Sequence, residues 1–162
     1  MTVHIQCEAG NGVTKIIGLS YRFSTTASIH DCFQQAATTL QVSEYLKLEP
    51  QLLQFERYNV YTLLCDMMHT ADLDCYRNEA LDDLQREDDK NGTQLYKTLK
   101  AFISCGGSKQ KASQALYIHR NTLSYRLEQI ADILHMDINN TDVQTRLYLD
   151  IRIKEVLDRQ VS

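Results

Sequence analysis

Between Ser108 and Leu127 the chain collects side chains that suit the edges and backbone of duplex DNA. Arg120 can donate two hydrogen bonds to a guanine, and Asn121 can make a bidentate pair with an adenine. Ser124, Tyr125 and His119 add further polar groups within reach of bases. Lys109, Lys111, Thr122 and Arg126 are candidates for the phosphate backbone. Arg126 stands half turned inward, so it either holds a phosphate or pairs with Glu128 or a core carboxylate.

Presenting these groups takes two short helices and a tight turn. Ala112, Ala115 and Leu116 fall on one face of the first helix, and Ser113 is small enough for a close crossing. Ile118 is expected buried in the turn. Leu123 and Leu127, four residues apart, form the inner face of a second helix starting near His119. His119, Arg120, Asn121, Ser124 and Tyr125 then point outward near its start, the end that enters the major groove in a helix-turn-helix. The lysines lie at the start of the first helix, where the dipole favours an anion. Many such turns carry glycine, because the backbone there has positive φ. Here the position holds Tyr117, so the turn must differ or bear strain. An ordinary helical hairpin with a solvated polar face has the same spacing.

The charge supports the DNA reading by its distribution. The chain of 162 residues carries a net charge of −4. Residues 1–94 hold seven Lys/Arg and fourteen Asp/Glu, whereas residues 95–162 hold ten and seven. From Leu95 to Ile130 six basic residues face Glu128 alone. A basic surface confined to the reading helices is what electrostatic DNA binding needs. No apolar run is long enough to span a membrane. The five cysteines (Cys7, Cys32, Cys65, Cys75 and Cys105) show no paired spacing and read as reduced thiols in a cytoplasmic protein. No metal or cofactor site is expected. His30 and Cys32 are two apart, and such side chains diverge on a helix.

The rest of the chain reads in three parts. In residues 1–58, Val3-His-Ile-Gln-Cys and Thr14-Lys-Ile-Ile-Gly-Leu-Ser read as strands, with Gly10-Asn-Gly12 as a turn between them. A helix capped by Ser28 follows, its stripe Ile29, Cys32, Phe33, Ala36 and Ala37; Gln51-Leu-Leu-Gln-Phe is a third strand. Residues 59–92 read as connecting helices. Val60, Leu63, Leu64 and Met67 are core on the first, and a second runs through Tyr76, Ala80, Leu81 and Leu84 to the acidic run Glu87-Asp88-Asp89, expected to be a solvated helix end. Residues 93–162 hold the reading helices. Thr93 is expected to cap a helix with Leu95, Leu99, Phe102 and Ile103 inward, stopped by Gly106-Gly107. Thr141-Asp-Val-Gln144 has capping-box form and opens a last helix carrying Leu147, Leu149, Ile151, Ile153 and Val156. Part of that apolar surface suits a second subunit, as a homodimer reading two half-sites would need.

The run Leu116-Tyr-Ile-His-Arg-Asn-Thr-Leu-Ser-Tyr-Arg-Leu127 resembles the C-terminal DNA-binding domain of the PucR/CdaR family of bacterial transcriptional regulators. Ile118 to Leu127 reproduces that domain's "vHRNTLxYRL" core, and Asn91 to Phe102 is similar to its "NGTELLxTLxAYL" helix. The resemblance implies that an aromatic residue is acceptable at Tyr117. More weakly, Ile17-Gly-Leu-Ser20 and Cys32 to Ala37 resemble parts of the degenerate GGDEF-like domain that precedes it in many such regulators. The acidic loop of that domain is missing, so cyclase chemistry has no carboxylates to hold a metal.

The expected fold is therefore mainly α: a helix-turn-helix DNA-binding domain at the C-terminus, preceded by a small α/β segment and connecting helices. The expected function is sequence-specific transcriptional regulation without enzymatic activity. The chain reads as the C-terminal piece of a longer regulator whose effector binds outside it, although residues 1–58 also read as a complete small module. Two rival readings stand beside this one: a protein-interaction module indifferent to DNA, and a ligand sensor built on residues 1–58.

Overall fold

A computed structural model describes residues 4–9, 14–20, 29–46, 52–68 and 72–160. The chain divides into two compact units, residues 1–75 with 155–162, and residues 76–154.

In the first unit, β1 (His4–Ala9) pairs antiparallel with β2 (Thr14–Leu19), from His4 opposite Leu19 to Ala9 opposite Thr14. β3 (Leu52–Gln54) lies parallel to β2, with Ile17 opposite Leu52. Parallel neighbours need a crossover, and α1 (Ile29–Tyr45) lies within it. Gly18 lets that helix approach the sheet. A Cβ there would stand 2.3 Å from the Ala36 carbonyl oxygen, so no larger residue fits without a shift.

The expected stripe on α1 is partly wrong. Cys32, Ala36, Thr39, Val42 and Ser43 are buried, whereas Ile29 is 71% and Phe33 52% exposed. The buried face is made of small residues. Its hydroxyls are tolerable because Thr39 donates to the Gln35 carbonyl (2.7 Å) and Ser43 to that of Leu40 (2.6 Å). The expected Ser28 cap and Gly10–Gly12 turn lie outside the described residues.

α2 (Phe55–Met68) starts directly after β3, upstream of the expected onset at Asn59. Its buried positions are Thr62, Leu64 and Cys65. Leu63, expected in the core, faces outward because Thr62 and Cys65 occupy the inner face. Tyr58 and Tyr61 pack beside Val42, Leu46 and Cys65, and the Tyr61 hydroxyl donates to the Glu155 carboxylate. Burial, with the Asp66 carboxylate second, pushes the Cys65 thiol up to about 11, so it stays protonated. Tyr76 ends a short 3-10 turn (Leu73–Tyr76) rather than joining the following helix.

The second unit is helical: α3 (Glu79–Asn91), α4 (Leu95–Ser104), α5 (Lys109–Leu116), α6 (Arg120–Leu134) and most of α7 (Thr141–Gln160). One core joins them. Leu81 and Leu84 of α3, Leu95, Leu99 and Phe102 of α4, and Leu147 and Ile151 of α7 meet the inner face of α6. Each such side chain contributes about 1.5–3 kcal/mol on leaving water. Among the apolar residues proposed for α7, Leu147, Ile151, Ile153 and Val156 are buried, while Leu149 is exposed.

Two expected caps are replaced. α4 is not capped by the Thr93 side chain. The Asp88 carboxylate, from the last turn of α3, accepts the Leu95 N–H (2.6 Å), the Tyr96 N–H (2.8 Å) and the Thr93 hydroxyl. Asp88 is therefore no solvated helix end. At α7 the cap is Asn140 rather than Thr141, its Oδ1 accepting the N–H groups of Asp142 (2.8 Å) and Val143 (3.3 Å). A polar cluster ties α3 to α7. Asp82 pairs with Arg77 at 2.9 Å and with the nearly buried Lys154, and Asn78 donates to Asp150 (2.6 Å). The hydrogen bond from Arg77 first, then Lys154, holds the Asp82 carboxyl below its ordinary range despite its burial.

Candidate nucleic-acid interface

α5 and α6 are held by what they bury. Ala112 and Ser113 of α5 are buried and Leu116 half-buried. Ala115, expected beside them, is exposed, because Ala112, Ser113 and Leu116 already complete the inward face of this two-turn helix. α6 buries Leu123, Leu127, Ile130 and Leu134, a 4-3-4 spacing that fixes its rotation about its own axis. Ile118 is partly buried against the same core.

That rotation turns the predicted contact residues outward. His119, Arg120, Asn121, Thr122 and Tyr125 are exposed at the N-terminal end of α6, and Ser124 is half-buried. His119 is the N-cap, its Nδ1 accepting the Asn121 N–H at 3.2 Å. Lys109 and Lys111 are exposed in the first turn of α5, which Ser108 caps through the Lys111 N–H.

Arg126 behaves differently from the others. It is half-buried and its guanidinium donates to the Thr98 hydroxyl at 3.3 Å, joining α6 to α4 rather than to Glu128 or a core carboxylate. Thr98 is fully buried and itself donates to the Gln94 carbonyl (2.7 Å). No pairing rule within one helix would have found this partner, 28 residues upstream.

The turn answers the question raised by Tyr117. Its backbone is left-handed (φ 55°, ψ 39°). Its N–H donates to the Gln114 carbonyl and the Ile118 N–H to that of Ser113, the paired bonds of a Schellman end. The same pair closes α4 around Gly106 (φ 62°). Glycine adopts that conformation freely, whereas a side chain there costs about 1–2 kcal/mol. The turn therefore keeps its usual geometry and carries the strain.

A short helix, a left-handed turn and a second helix with a polar, exposed first turn define a helix-turn-helix domain. Residues 95–153 match the family model of the PucR C-terminal helix-turn-helix domain, and this part of the chain belongs to that family. Relatives extend the similarity beyond it. The DNA-binding transcriptional activator AdeR of Bacillus subtilis (strain 168) is 27% identical over 135 residues, covering 83% of this chain and 32% of that protein. The proline-responsive transcriptional activator PutR of the same organism is 23% identical, covering 85% and 34%. The carbohydrate diacid regulator of Escherichia coli (strain K12) is 30% identical, covering 86% and 35%. The chain spans about a third of the length of the curated relatives it matches. Among the described residues, no helix is long and apolar enough to cross a membrane.

Proposed function

We propose that this chain is the DNA-binding portion of a cytoplasmic bacterial transcriptional regulator, with no catalytic activity of its own. α6 lies in the major groove of duplex DNA. Arg120 and Asn121 read bases, and Ser124, Tyr125 and His119 add contacts along the groove. Lys109, Lys111 and Thr122 hold phosphates. Arg126 braces α6 against α4, leaving the rest of its guanidinium for the backbone. The regulator works as a homodimer on paired half-sites, and its small-molecule effector binds in sequence outside this chain. Residues 93–162 form the reading domain, behind the α/β segment of residues 1–58 and the connecting helices of residues 59–92.

The observation that carries this reading is the exposed first turn of α6, polar throughout while its opposite face is closed into the core. Apart from His119, which caps the helix, these side chains add nothing to the core. The test is to select duplexes from a random pool with the wild-type chain and titrate variants against the winner. Arg120→Ala is expected to weaken specific binding by about 1–3 kcal/mol, the worth of one bidentate contact. Unchanged affinity and specificity would remove α6 from the groove.

A further inference from the structure

We propose that Tyr117 is a DNA-backbone contact, its hydroxyl donating to a phosphate at the flank of the groove that α6 enters. This rests on the recognition-helix reading above.

Three observations converge on it. Tyr117 occupies a left-handed position that favours glycine (φ 55°); of the other helix ends in this conformation, those of α3 and α4 place glycine there, at Gly92 (φ 65°) and Gly106 (φ 62°), and that of α6 places His135 (φ 51°). The ring returns almost nothing to folding, since Tyr117 is 95% exposed, more than any other large hydrophobic described. The residue therefore carries backbone strain that its own packing does not offset, a pattern that marks functional positions. Its location completes the argument. Tyr117 precedes Arg120 by three residues, so their Cα atoms stand within about 11 Å. The major groove is about 12 Å wide. With the first turn of α6 over the bases, a residue within that distance can reach the groove's edge, where phosphates run. A phenol suits that place, because its apolar ring lies against sugar carbons and its O–H points to an anionic acceptor.

The contact is neutral, which separates it from the lysines. Losing it lowers affinity without releasing fewer counterions, so the slope of log K against log salt stays as in the wild type.

The experiment measures the selected duplex against the whole chain bearing Tyr117→Gly, Tyr117→Phe or Arg120→Ala, together with each variant's thermal midpoint. Tyr117→Gly is expected to bind about fivefold more weakly while its midpoint stays level or rises by about 2–4 °C as the strain is relieved. Tyr117→Phe keeps the strained backbone and is expected to bind about threefold more weakly at an unchanged midpoint. Wild-type affinity in either variant, with Arg120→Ala weakened, overturns the proposal and leaves the ring to a protein partner. A large fall in the Tyr117→Gly midpoint overturns it as well, by making the ring structural. If Arg120→Ala also binds like the wild type, the recognition-helix reading fails and this inference falls with it.

Discussion

At the scale of single residues, His119 shows how a side chain proposed for the interface also serves the fold. Its Nδ1 accepts the Asn121 N–H, so in the neutral ring the remaining proton sits on Nε2, directed away from the cap. The same hydrogen bond fixes the first turn of α6, on which Arg120 and Asn121 stand. Asparagine caps in the same way, and alanine cannot. His119→Ala is therefore expected to destabilise the fold by about 1 kcal/mol, and His119→Asn to leave stability near that of the wild type. Urea melts of the two variants compare them directly. Equal losses in both would mean that the cap contributes little and that the imidazole acts by packing.

Among the elements, the helices of the second unit were legible in the sequence and those of the first less so. Leu123, Leu127, Ile130 and Leu134 are strongly apolar and recur at helical spacing, so both the face and the rotation of α6 could be read from type alone. α1 defeats that approach. Its buried face includes Thr39 and Ser43, which satisfy their own hydroxyls within the helix, while Ile29 and Phe33 lie outside. The α4 cap fails for another reason. Local capping patterns look within about three residues of a helix start, yet α4 is capped from seven residues away by Asp88. The outward placement of His119, Arg120, Asn121 and Tyr125 was legible because the buried face of α6 leaves them only one direction. The Arg126 partner was not, because it depends on how α4 packs. Asp88→Ala is expected to cost about 2 kcal/mol, since the N–H groups of Leu95 and Tyr96 lose a charged acceptor. Denaturation monitored by circular dichroism measures it, and a loss below a few tenths would assign the capping to solvent.

Over the whole molecule, charge has to be read by location. A net charge of −4 would disfavour DNA if it were spread evenly, yet Lys109 and Lys111 stand exposed at the start of α5. Phosphate contacts make affinity fall steeply with salt, by close to one unit of slope for each cation engaged. Replacing both lysines by alanine is expected to flatten the plot of log K against log salt by about two units, with little change in base preference. An unchanged slope would place the phosphates elsewhere on the domain.

The Asp88 cap also bears on how portable the reading domain is. The family match begins at Leu95, but the carboxylate that terminates that helix belongs to α3, as do Leu81 and Leu84 of the shared core. Residues 95–153 transplanted behind a foreign sensor would arrive with a frayed first helix and an open flank. A chimera joined ahead of Tyr76 would carry the domain over whole, with Arg77 still paired to Asp82.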